Sequence, residues 1–445
     1  KTRRCKKTGN MAGCPQRSGR LEIKITQGRL TPADTISIKH KEVYMIADIL
    51  NEAKKEQANQ EISLYKKMEL LGVEHYSPSS ISQFLNNQVL WCMNRIYGIR
   101  SLYPKPALSR GISIEKAVQD VLIGSADNAT KSALKYFQHS TVRDLLKPYP
   151  LTVKGFSKDQ IQNIMMTLPK EKFFAAFSDI IETHWKFNQN LPSWLDPNDE
   201  GKKIMLKLIN EYETVESVTE SVLSYFQNQI KGEKFRYQSK VSRKITEAGG
   251  VEMTGYTDFE NSVLGFDLKT SLRKPKDFSK VSLSHKCQAS FYANSLRKDW
   301  ILVYASPLNS DQKKEIAIHS IKDSGTPKEI AKLYKEISED GKGTTEPTVI
   351  KYLDLFSQSD YILPEPVKEI PVSQSESVKW QKYNVQAIRS MNALISSCNP
   401  DNIKDEIKEL CFSNPESMML DPHEKELIQE FYGLSIETKE NEETA

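Results

Sequence analysis

The chain has 445 residues, with 62 Lys and Arg against 58 Asp and Glu, a formal net charge of +4. Its hydrophobic fraction of 38% supplies enough apolar side chains for a core and argues against wholesale disorder. The near-neutral balance excludes a histone-like polycation, so any nucleic-acid contact must be a local patch. No apolar run reaches the roughly 18 residues of a membrane span, so no membrane association is expected. Six cysteines at 5, 14, 92, 287, 398 and 411 form no C-x-x-C pair, which argues against a disulfide scaffold or zinc ribbon. Reduced thiols and the lack of an apolar signal segment point to a cytoplasmic location.

Charge is unevenly spread. Residues 1–30 carry nine Lys and Arg against Glu22 alone, whereas residues from 421 onward carry eight acids against Lys425 and Lys439. Residues 1–40 read as a basic, loose leader. Residues 41–124 read as helices: one over about 44–71, one opened by Ser77-Pro78 as cap and first turn and continuing through Ile96, and one after Gly111. Residues 125–232 are helix-like, broken by prolines, and read as a helical insertion. Residues 233–325 turn to strands at 235–245, 251–259, 263–270, 301–305 and 315–321, with a helix near 284–297. Residues 326–445 read as a C-terminal helical region: a helix over 327–338, a linker from Pro364 to Pro371, a helix over 376–396 and an acidic tail.

The strands carry the chemistry. The runs Gly255-Tyr256-Thr257-Asp258-Phe259 and Val263 to Thr270, separated by Glu260-Asn261-Ser262, predict a hairpin. Alternation along the second run puts Leu264, Phe266 and Leu268 on one face and Asp267 and Lys269 on the other. Asp258 reaches the same place from the first run. Two carboxylates with a lysine at a strand end suit a hard cation, Mg or Mn, beside a substrate phosphate, which is the chemistry of phosphodiester hydrolysis. Asp-x-Lys alone recurs by chance and would more often be surface ion pairing. Gln288 and Tyr292, four apart, share one helix face. Glu115 follows Arg110-Gly111 and offers a third acid.

This ordered set resembles the PD-(D/E)XK nuclease superfamily, in its RecB-like branch, which includes phage-encoded exonucleases and CRISPR adaptation nucleases. The resemblance spans roughly residues 76–306. It is carried by Tyr76 to Phe84, by Arg110, Gly111 and Glu115, by Gly255 and Asp258, by Asp267, Lys269 and Thr270, and by Gln288 and Tyr292. It implies an α/β, restriction-endonuclease-like core, a central mixed sheet flanked by helices, with a large helical insertion. It implies Asp258, Asp267 and Glu115 as metal ligands, with the Leu268 carbonyl as a further one. Lys269 would stabilise the transition state and help activate water. Gln288 and Tyr292 would position the substrate strand or brace Lys269. Arg110 and His285 are candidate phosphate contacts, with a purely structural role as the alternative for each.

The expected activity is Mg-dependent hydrolysis of DNA, by an exonuclease in recombination, repair or phage genome processing. The alternatives are a structure-specific or restriction-like endonuclease and a non-catalytic DNA-binding protein on the same fold. Cys92 is followed by Met93 where many relatives have Cys-Pro, and only Cys398 and Cys411 lie near the C-terminus, so no iron–sulfur cluster is expected. Without a G-x-x-x-x-G-K-[ST] motif the chain has no motor of its own, which points to a helicase, recombinase or single-strand-binding protein as partner.

Overall fold

The computed structural model describes residues 64–101, 103–146, 152–153, 156–187, 200–231, 233–410, 424 and 427. The basic leader, the start of the helix expected over 44–71, and all of the acidic tail except residues 424 and 427 lie outside them.

Local signals set the first helices. After α1 (Leu64–Leu70), Ser77 caps α2 (Pro78–Asn86): its hydroxyl accepts from Ser80 N at 3.1 Å and Pro78 fills the first turn. The helix expected to run on to Ile96 is interrupted. Asn87 leaves helical geometry and its Oδ1 accepts from Leu90 N at 2.9 Å, starting α3 (Gln88–Arg95) as a separate helix. The helix expected after Gly111 begins earlier, as α4 (Pro106–Leu122), so Glu115 stands in mid-helix rather than at a helix start. Next come α5 (Ala129–Leu146), the short ladder of β1 (Thr152–Val153) and β2 (Phe156–Ser157), α6 (Lys158–Met165), α7 (Lys170–Phe187) and α8 (Glu200–Ile230).

The strands are β3 (Arg236–Tyr237), β4 (Lys240–Ile245), β5 (Val251–Tyr256), β6 (Phe259–Glu260) and β7 (Leu264–Thr270). Helix α9 (Leu283–Leu296) then leads to β8 (Asp299–Ala305). Helices α10 (Ser310–Ser320), α11 (Pro327–Ile337) and α12 (Glu346–Phe356) precede β9 (Val367–Val372), α13 (Gln374–Ser397) and α14 (Ile403–Leu410). A mixed five-stranded sheet runs β3-β6-β7-β8-β9. Its central pair, β7 and β8, is parallel, and its other pairs are antiparallel. Two parallel neighbours need a crossover, and α9 supplies it.

Three further expectations are corrected. Residues 315–321 are not a strand but lie almost wholly in α10. Asn309 and Gln312 form a reciprocal capping box that nucleates the helix, and Ile318 is its fully buried contact. The stretch from Pro364 to Pro371 is not simply a linker: β9 occupies its second half as an edge strand, where Pro371, opposite Ile301, is tolerated. The predicted hairpin is shorter than the sequence pattern suggests. Only Phe259 and Glu260 pair with Phe266 and Gly265, and β5 turns away to pair with β4 in its own two-stranded sheet. Asn261 closes the hairpin, its Oδ1 accepting from Val263 N at 2.9 Å and Leu264 N at 2.7 Å.

Both faces of the large sheet are covered. On one side Phe266, Leu268 and Val303 join Ile114 and Val118 of α4 and the aromatic residues Phe137, Phe173 and Phe226 of α5, α7 and α8. The helices of 125–232 therefore form one of the layers that bury the sheet. On the other side Trp300, Leu302 and Tyr304 pack with α2, α3, α9, α13 and the β4–β5 ladder. Gly265 belongs to this face: a Cβ there would stand 1.8 Å from the Trp300 ring. Each large apolar side chain buried here contributes roughly 1.5–3 kcal/mol. Helices α10 to α12 pack around a small separate core of Ile318, Ile330, Tyr334 and Val349.

Candidate metal and active site

Alternation along β7 delivers Asp267 and Lys269 to the α9 side of the sheet. In the parallel register Asp267 stands beside Leu302 and Lys269 beside Tyr304. Asp267 is fully buried. Its Oδ2 lies 2.7 Å from Lys269 Nζ; apart from that ion pair neither carboxylate oxygen has a hydrogen-bond partner among the described residues. Lys269 Nζ also donates to Gln288 Oε1 at 3.0 Å, so α9 holds the lysine.

Asp258 sits in the corner where the chain leaves β5 for β6. Its Oδ2 accepts from Leu268 N at 2.8 Å, which locks that corner onto β7 between Asp267 and Lys269. Tyr292, one turn beyond Gln288, donates its hydroxyl to the Tyr256 carbonyl at 2.7 Å and stacks on Trp300 at 5.1 Å. Gly255 permits this approach, since a Cβ there would lie 2.7 Å from the Tyr292 hydroxyl. Burial pushes the Tyr292 phenol far above its ordinary range, so it stays neutral and braces.

Glu115 comes from α4, on the opposite layer, and takes a hydrogen bond from Gln238 Nε2. Burial raises its carboxyl above the usual range and Asp267 adds to the rise, while the Gln238 bond and Lys269 oppose it. Asp258 is held well above the carboxylate range, first by burial and then by Glu115 and Asp267. For Lys269, burial pulls downward, but Asp267, Asp258 and Glu115 outweigh it and lift the ammonium above its ordinary value. The three acids and the lysine therefore share one electrostatic cluster.

The two phosphate-contact candidates have other partners here. Arg110 is buried, with Nε donating to Thr270 Oγ1 at 3.2 Å, one terminal nitrogen to the Thr270 carbonyl at 3.0 Å and the other to Glu211. It ties α4 and α8 to the end of β7, and this is the structural alternative for that residue. His285 pairs through Nδ1 with the Tyr304 hydroxyl at 2.7 Å. Burial, reinforced by Lys269 and opposed by Asp267, depresses its pKa to about 4, so near neutral pH it is an uncharged hydrogen-bonding group, not a cation.

Sequence reasoning missed Gln238, Glu211 and Tyr304. Tyr304 was within reach, because Trp300, Leu302 and Tyr304 alternate along β8. Gln238, at φ +48°, and Glu211 have no local signature. Among the described residues no three His, Cys, Asp or Glu side chains form a ready-made metal-binding group. The donor chemistry is still that of a hard divalent cation's ligands: Asp267 keeps an orphaned, buried oxygen and interacts electrostatically with Asp258 and Glu115, two acids of like sign. No family model, curated protein or solved structure matches the chain. No helix among the described residues is long and apolar enough to cross a membrane.

Proposed function

We propose that this chain is a metal-dependent DNA nuclease on a PD-(D/E)XK, restriction-endonuclease-like core, acting as an exonuclease in recombination, repair or phage genome processing. The observation that supports this most is the single cluster of Asp258, Asp267, Glu115 and Lys269 at the C-terminal half of β7. Two half-buried acids beside the buried Asp267 raise one another's energy even with Lys269 among them, and a further cation would relieve this. Asp258, Asp267 and Glu115 would hold Mg or Mn, with the Leu268 carbonyl as a further donor. A bound divalent ion would polarise the scissile phosphate and lower the pKa of water.

The chain's own groups do the rest. Lys269, kept charged by the acids and aimed by Gln288, stabilises negative charge developing on the phosphate. Tyr292 fixes α9 to the Asp258 corner, so Gln288 and Asp258 keep their spacing. Neutral His285 offers Nε2 as a hydrogen-bonding group beside Lys269 without competing for a proton near neutral pH. Since no motor sequence is present, we propose that a helicase, recombinase or single-strand-binding protein presents the DNA, in the cytoplasm.

Digestion of linear against covalently closed circular DNA in the presence of Mg tests this reading. The exonuclease predicts loss of linear DNA with circles intact. Cutting of circles would replace it with an endonuclease, and no cleavage in Mg or Mn, of single strands or of either duplex form, would refute a nuclease and leave a DNA-binding protein.

A further inference from the structure

The segment that leaves the candidate site holds more positive charge than the fold neutralises. Strand β7 ends at Thr270, and residues 271–282 cross to α9 carrying Arg273, Lys274, Lys276 and Lys280. Lysines fasten this segment from behind. Lys368 Nζ donates to the Lys276 carbonyl at 2.7 Å, Lys274 Nζ to the Glu365 carbonyl, and Lys286 Nζ to the Ser279 carbonyl at 3.2 Å. Arg273, Lys276 and Lys280 stay exposed, and among the described residues none of them forms a salt bridge.

Three acids stand nearby: Glu365 offsets Lys274, Asp277 interacts with Lys280 and Lys286, and Glu376 with Lys286. Asp277 caps its own turn, accepting from Ser279 N at 2.8 Å, and Glu376 caps α13, accepting from Ser373 N at 3.3 Å. Like charges press on one another as a result. Burial and then Lys368 lower the pKa of Lys274, against Glu365, and burial and then Lys379 lower that of Lys286, against Asp277 and Glu376.

Aromatic faces interleave with these cations. Lys286 Nζ lies 5.1 Å from the Phe278 ring centroid and 4.6 Å from that of Trp380. Trp380 stacks on Tyr383 at 5.1 Å, while Phe278 and Trp380 remain partly exposed. Leu272, next to the end of the catalytic strand, is 61% exposed. A buried ammonium under ring faces fixes those rings in place. Exposed cations in excess of the acids around them, beside fixed and partly exposed rings, match a ligand with a regular anionic backbone and accessible base faces.

We propose that residues 271–282, with Lys379 and Trp380, form a track for single-stranded DNA leading to the Asp267–Lys269 centre. Arg273, Lys276 and Lys280 contact phosphates, and an unpaired base packs against the partly exposed rings of Phe278 and Trp380. Duplex DNA hides its base faces, so the track selects an unpaired strand. The direction toward the centre rests on the nuclease reading; the binding does not.

The test is fluorescence anisotropy of the full chain with labelled oligothymidylate in metal-free buffer, where no cleavage is expected, at several salt concentrations. Lys276→Ala/Lys280→Ala should weaken binding and lower the salt slope by about 0.7 for each cation removed. Trp380→Leu should weaken binding about fivefold to a hundredfold with the salt slope unchanged, and Trp380→Phe should restore most of it. Wild-type affinity and slope in the lysine variant, or wild-type affinity in a folded Trp380→Leu protein, would overturn the track. Should Trp380→Leu fail to fold, the lysine variant and Trp380→Phe decide. Binding that follows these expectations without cleavage in Mg would leave the track standing and refute only the nuclease reading.

Discussion

Two buried ion pairs meet at the end of β7, and they are built to opposite standards. Arg110 and Glu211 are both nearly inaccessible, and the guanidinium also satisfies the Thr270 hydroxyl and carbonyl. Asp267 is equally buried, yet apart from Lys269 neither of its oxygens has a partner among the described residues. Around it stand two more acids whose pKa values are raised. The first pair has the completeness of a structural tie. The second keeps an unsatisfied anion where a cation and a phosphate could complete it, and such incompleteness is what a functional site retains.

Breaking the tie should have the largest effect. Arg110→Ala leaves Glu211 buried and unpaired and frees the end of β7, so stability should fall by about 3–5 kcal/mol in denaturant unfolding. Arg110→Lys should recover little of it, because an ammonium lacks the planar fork that serves three acceptors. A different result is expected at the other pair. Lys269→Ala should lower the rate of DNA cleavage roughly 10²–10³-fold with DNA affinity little changed, and it should also cost the metal-free protein stability by leaving the buried Asp267 unpaired. Equal loss of binding would instead make Lys269 a phosphate anchor.

A smaller effect sharpens the contrast. Folding raises the Asp258 pKa, so the folded state holds that proton more tightly than the unfolded chain. The metal-free protein should gain stability from this group as pH falls from neutral through the raised value, and stop gaining near the unfolded value of about 3.9. Asp258→Asn keeps an acceptor for Leu268 N and removes the charge. It should therefore stabilise the metal-free protein at neutral pH by about 1–2 kcal/mol, read from thermal unfolding, and flatten the pH dependence.

What the sequence made legible was local and periodic. Ser77-Pro78 marked its helix because the cap and the first-turn proline act within four residues. Alternation placed Asp267 and Lys269 on one face, and four-residue spacing put Gln288 and Tyr292 on one helix face. What stayed hidden depended on distant partners. Arg110 reads as a free cation until Glu211, 101 residues away, is folded against it. The strand expected over 315–321 fails because the capping box that decides the matter begins six residues upstream of that stretch, at Asn309. The shortness of the hairpin arose from β4, which claims β5 by pairing along its whole length.

The most direct test of the unsatisfied anion is calorimetric titration of the full chain with Mn at neutral pH, comparing the wild type with Asp267→Ala. The account predicts saturable Mn binding in the wild type and its loss or marked weakening in the variant. An identical titration curve for the two proteins would contradict it.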